Sequence, residues 1–188
     1  MTFHSIVKQW CERYRYMQHT RANKRFYLTD SQMGVVDMVK DISNAFSPCV
    51  VMESGPDGSG PLERPVMNYP IYFFVRAEKM ADGDEAAVAY ETALYHMKRF
   101  LGWLKYRHNK EIEEDNIDGD FARIELDGAY IDIEPVGPLQ NGWFAVMIQL
   151  MRVEPLNLCN DENEYLTDEE LEAIRAKFAE EEDSDSSN

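Results

Sequence analysis

Four histidines, three cysteines and 35 acidic side chains are the groups in this sequence that could do chemistry. The histidines, His4, His19, His96 and His108, fall in separate segments, and none stands at a metal-ligand spacing from another. His96 and His108 are twelve apart on one helical pattern, more than three turns, and read as surface histidines. Cys11, Cys49 and Cys159 are widely separated with no CxxC pair, so they read as small buried apolar residues and not as a zinc ribbon or a disulfide framework. No Gly-x-Ser-x-Gly elbow occurs. Carboxylates are so numerous that any two could be named an acid/base pair, which gives the pairing no meaning without geometry. The loop Asp115-Asn116-Ile117-Asp118-Gly119-Asp120 has oxygen ligands and a turn glycine. Their order does not fit the twelve-residue calcium loop, and a solvated turn is the expectation. No catalytic signature emerges, so the chain reads as a non-enzyme without cofactor or metal.

The elements follow from periodicity. Ser5 to Tyr16 reads as an amphipathic helix carrying Ile6, Trp10 and Tyr14 on one side. Ser31 to Phe46 reads as a second helix stopped by Pro48. Cys49 to Glu53 is a short strand. The glycine- and proline-rich stretch Ser54 to Pro65 is expected to be a mobile loop, with Gly55, Asp57, Gly58, Gly60 and Arg64 as its exposed residues. No Gly-Lys-Ser/Thr follows it, which excludes a phosphate loop. Tyr69 to Arg76, "YPIYFFVR", is a strand apolar on both sides. Asp82 to about His108 is the longest helix, striped by Tyr90, Leu94, Met97, Leu101 and Leu104. "NKEIEEDNIDGD" reads as a loop. "FARIEL" (121–126) and "AYIDIE" (129–134) alternate around Asp127-Gly128, a hairpin signal. Pro135 to Gly142 reads as a turn, and Trp143 to Val153 as a long strand apolar on both faces. Thr167 and Glu170 form a capping box for a short helix, and "EEEDSDSSN" reads as disordered.

This order predicts an α+β fold: a mostly antiparallel sheet of four or five strands, helices on one face, then a C-terminal short helix and acidic tail. The expected divisions are residues 1–155 as the core domain, 156–179 as an extension and 180–188 as a disordered tail.

The net charge of −16 is unevenly placed. Residues 1–27 hold six bases against Glu12, whereas residues 161–188 hold twelve acids against Arg175 and Lys177. Phosphate repulsion over most of such a surface argues against specific nucleic-acid binding, while leaving room for a local basic face. No run of 18 apolar residues occurs and the N-terminus lacks a signal-peptide pattern, so no membrane span is expected and the chain is expected in a cytoplasm or a particle.

Apolar surface is in excess. Two strands are apolar on both sides, and helices on one face can cover only half of it, so the second side is expected to meet another copy. The residues expected at that contact are Tyr72, Phe74, Phe144, Ile148 and Arg152. With charge polarised along the chain, head-to-tail contacts closing into a ring are the economical assembly.

The segments "YPIYFFVRAE", "AAVAYETALYHMKRFLGWL" and "NGWFAVMIQLMRV", in this element order over Ser5 to Glu154, resemble the tail-terminator (tail-completion) proteins of tailed bacteriophages. The resemblance implies a virion structural protein: a ring homo-oligomer, often hexameric, at the neck or tail end, partnered by tail-tube and head-connector proteins. It implies no catalytic residues. An acidic interaction protein, such as a nucleic-acid mimic or an inhibitor of a host factor, is the alternative that the charge suggests.

Overall fold

The structure is a computed structural model that describes residues 1–29, 45–55, 57–60, 64–77, 83–126 and 132–154. The predicted helix Ser31 to Phe46 lies outside these residues apart from its last two. The Asp127-Gly128 hairpin turn, the short helix after Thr167 and the acidic tail lie outside them altogether. Met1–Leu156 make one compact unit.

Helix α1 (Phe3–Arg13) starts where the Thr2 hydroxyl accepts the Ser5 N–H at 3.2 Å, an N-cap that satisfies a donor the helix cannot. Its buried side, Phe3, Ile6, Val7, Trp10 and Cys11, has helical spacing. Strands β1 (Phe26–Thr29), β2 (Cys49–Glu53), β3 (Asp57–Ser59) and β4 (Val66–Arg76) follow. Helix α2 (Gly83–Glu113) begins with Asp84 and Glu85, which complement its positive end. Strand β5 (Ile133–Leu139) and a 3-10 turn (Gln140–Gly142) lead into β6 (Trp143–Val153).

The six strands form one mixed sheet in the order β1-β2-β4-β6-β5, with β3 paired to β4 beyond the end of β2. Only β1 and β2 run parallel; the other pairs are antiparallel. β4 and β6 pair without interruption over eleven residues, from Val66↔Val153 to Arg76↔Trp143. They are the central strands, which is why both are apolar on both sides.

On one face, Ile71, Phe73, Val146, Ile148 and Leu150 lie under α1 and α2 in the main core. Trp10 is the hinge of that packing, with its ring 6.1 Å from Phe73 and 5.1 Å from Phe100. The opposite face carries Cys49, Val51, Tyr72, Phe74, Trp143, Ala145 and Met147, and all seven are buried within the single chain. At the start of α2, Ala89 packs with Ala77 and Phe144 in a third cluster.

The α+β class is as expected, with more strands and one parallel pair. Several local readings are corrected. The glycine-rich stretch contains β3, whose Asp57 and Gly58 pair with Asn68 and Met67. Residues 121–126 are not a strand: Phe121–Arg123 form a turn and Ile124 makes one isolated bridge to Arg152. The stretch read as the turn Pro135–Gly142 is strand β5 as far as Leu139. α2 continues five residues past His108. Strand β1 had no counterpart in the sequence reading.

Candidate assembly surfaces

The five residues expected at a subunit contact do not share a face. Tyr72 and Phe74 lie on the face opposite the helices, with Trp143, Ala145 and Met147 beside them. Their direct partners across the ladder are Met147 and Ala145. Phe144, Ile148 and Arg152 alternate with those residues and so point to the helix side. All five are buried within the chain: Tyr72 is 7% exposed and Phe74 fully buried. Neither set therefore offers an open apolar patch, and the second sheet face is no longer a reason to invoke a neighbouring copy.

Arg152 serves the fold. Its guanidinium is fully buried and donates from Nη1 to Glu154 Oε1 at 2.7 Å and from Nη2 to Asp120 Oδ1 at 3.0 Å. The Met1 ammonium donates to both Asp120 oxygens at 2.8 and 2.9 Å, and Arg123 Nη2 donates to Oδ1 at 2.8 Å. Tyr69 O–H donates to Glu154 Oε1 at 2.8 Å. Burial pushes the Asp120 carboxyl up, but the ammonium and the two arginines outweigh it and hold the group below its usual range. The cluster fixes the end of β6 to the turn after α2 and to the start of α1.

The acidic turn is organised from within. Glu111 Oε2 accepts the Phe121 and Ala122 N–H groups at 2.7 and 2.8 Å. A Cβ on Gly119 would run into that carboxylate, which accounts for the glycine in Asp118-Gly119-Asp120. Asp118 reaches Arg64 at 3.9 Å, an exposed pair between this turn and the β3–β4 connection. Gly60 has φ +125°, a conformation that favours glycine. Asp57, Gly58, Gly60 and Arg64 are exposed, as is Gly55.

The histidines are separate anchors. His4 Nε2 donates to the Glu53 carbonyl at 2.9 Å, and His19 Nδ1 accepts the Arg25 N–H at 2.9 Å. His96 and His108 are buried, correcting their reading as surface residues. His108 Nδ1 donates to the Phe121 carbonyl at 3.1 Å, and His96 Nδ1 pairs with the Tyr14 hydroxyl at 3.1 Å. Burial lowers His96 to about 4 and raises Tyr14 to about 12. Cys11 and Cys49 are buried, and burial pushes Cys49 up to about 12. No group of three or more histidine, cysteine or acidic side chains that could hold a metal occurs among the described residues. No helix among them is long and apolar enough to cross a membrane.

What remains open is the pair of sheet edges. Among the described residues no strand flanks the outer side of β1 or of β5. Leu28 is 52% exposed on β1, close to exposed Lys24 and half-buried Arg25. Ile133 is 48% exposed on β5, between exposed Asp132 and Glu134. One edge is thus basic and the other acidic, and each presents one large aliphatic side chain. Sequence reasoning missed these edges because β1 is only four residues long and β5 was hidden in a proline-rich stretch.

No protein-family model matches this chain, and no curated protein matches it.

Proposed function

We propose that this chain is a structural protein of a phage virion, forming a ring at the neck or tail end as a tail terminator or head-tail connector component. The observation that carries the ring is the pair of unlike sheet edges that no described strand flanks. β1 and β2 run one way, β4 the other, β6 back again, and β5 against β6, so β1 and β5 point in opposite directions. When copies are related by rotation about one axis, β5 of one meets β1 of the next antiparallel, which is a sound geometry for strand addition. Such a contact is head-to-tail, and it closes into a ring when the rotation divides the circle. The aliphatic pair Leu28 and Ile133 would sit among Lys24 and Arg25 on one side and Asp132 and Glu134 on the other. Pro135 cannot donate, which confines the pairing to the stretch around Ile133. The place in the virion rests on the resemblance in element order.

Light scattering on the eluting protein, with negative-stain imaging, tests this. Wild type should give a closed ring, and Leu28→Asp or Ile133→Lys should give folded monomers that still melt cooperatively, at a midpoint lowered only by the lost association. A wild-type chain that stays monomeric at millimolar concentration, or rings that survive both substitutions, would overturn the reading. Immunogold labelling of virions should place the chain at the neck or tail end.

A further inference from the structure

We propose that the outward stripe of α2 is a docking surface for an acidic amphipathic helix of a partner protein. Tyr95, Arg99, Gly102 and Tyr106 recur at spacings of four, three and four, so they lie in one line along the helix. That spacing is the seam on which a second helix packs. All four are exposed, Tyr95 at 42% and Tyr106 at 66%, and among the described residues only Tyr16 leans on the line, at its Tyr95 end. Lys98 and Lys105 flank it two turns apart, and between Glu91 and Glu111 the sequence has no acid. In a chain of net charge −16 that segregation makes this strip complementary to an acidic partner.

Gly102 is the second observation. It sits inside a 31-residue helix, where glycine costs stability relative to alanine. Among the described residues nothing lies within 4 Å of where its Cβ would be, so their packing does not require it. A glycine between two tyrosines leaves a notch in which the backbone of a crossing helix can come close. The rim of that notch is already ordered: the Arg99 guanidinium lies 5.0 Å from the Tyr95 ring centre, and Tyr16 meets the same ring edge-on at 6.5 Å. A pre-positioned aromatic loses little freedom on binding.

Nucleic acid is the other anionic candidate, and the geometry disfavours it. Tyr95 and Tyr106 are eleven residues apart, about 16 Å along the axis, too far for successive bases to stack on them. The charge of the whole chain also repels a long polyanion. A helix matches the stripe turn by turn.

The test uses the full chain and a labelled synthetic peptide of about three heptads, leucine at its seam and glutamate on its flanks. Its anisotropy is titrated beside a scrambled peptide of the same composition and beside oligothymidine, with particle size followed in parallel. The designed peptide should bind, the scrambled one should bind at least about tenfold more weakly, and Gly102→Leu and the double variant Lys98→Glu, Lys105→Glu should each lose about tenfold. Circular dichroism should show that Gly102→Leu melts no lower than wild type, because leucine suits an exposed helix position; Tyr106→Glu is the second variant and should also lose binding. Absence of binding, equal binding of the scrambled peptide, tighter binding of oligothymidine, or full binding by Gly102→Leu would each overturn the proposal. Because all three variants lie on α2 and away from the sheet edges, ring formation can fail or succeed without altering this readout.

Discussion

The Tyr14 hydroxyl meets His96 Nδ1 at 3.1 Å, tying the chain just after α1 to the middle of α2. Both partners carry the mark of that burial: the histidine is lowered to about 4 and the phenol raised to about 12, so the pair is neutral at ordinary pH.

Stability should therefore fall as pH drops from about 6.5 toward 4. In that window the unfolded chain protonates this histidine while the folded chain does not, so protons favour unfolding. The loss attributable to His96 should be on the order of 2 kcal/mol. Urea titrations across this window, compared with His96→Gln, check it: the variant should show a shallower decline. An identical decline in both proteins would mean that His96 is not the group responsible.

Phe73→Ala and Phe74→Ala should destabilise the isolated chain alike, each by about 3–5 kcal/mol, because both side chains are fully packed on their own faces. Denaturant melts of monomeric samples decide this. A Phe74 variant that folds as well as wild type but fails to assemble would restore the second sheet face as a subunit contact.

Arg152→Met should lower stability by about 2–3 kcal/mol without a direct effect on particle size. It strips Glu154 and Asp120 of a buried partner, while the Met1 ammonium and Arg123 still serve Asp120. Light scattering below the melting range, together with the unfolding midpoint, separates the two effects. Loss of oligomer from a fully stable protein would contradict the structural role given to this arginine.

Gly119→Ala and Glu111→Ala should damage the same turn. The first drives a methyl into the Glu111 carboxylate, and the second leaves the Phe121 and Ala122 N–H groups without their acceptor. Each should cost about 1–3 kcal/mol, and the double variant should cost less than the sum because one contact is lost twice. A double-mutant cycle that is strictly additive would show that the two residues do not act on one contact.

The parts of the fold legible in sequence were those with one consistent signal. β2 and β6 begin and end where apolar runs meet turn residues, and α2 was visible from six turns of periodicity. The side to which each residue of a doubly apolar strand points was not legible, because alternation carries no information when both faces are buried. Hence Phe144, Ile148 and Arg152 were grouped with Tyr72 and Phe74 although the register sets them on opposite faces. β5 was missed because Pro135, Gly137 and Pro138 are turn residues by composition, yet an edge strand tolerates a missing donor on its outer side. Phe121 and Ile124, three apart, are both buried in a turn that Glu111 organises from ten residues upstream, which no local pattern reports. His96 and His108 read as surface residues because a histidine adds no apolar signal of its own, although Ala89, Ala93, Met97, Phe100 and Leu104 define a buried side that includes both.

The uninterrupted pairing of β4 with β6 has a consequence for synthesis. Val66 must wait for Val153 and Arg76 for Trp143, so the central ladder cannot close until the whole of α2 and β5 has been made. At about 5–20 residues per second, the 77 residues from Ala77 to Val153 keep β4 without its main partner for roughly 4–15 s. During that time a strand rich in tyrosine, phenylalanine and valine, with no charge between Val66 and Val75, stands in the nascent chain as an aggregation-prone segment. Pro70 interrupts its donors at one position, and Pro65 and Arg76 bound it, so the gatekeeping that protects the unfinished protein lies in the strand that later becomes its centre.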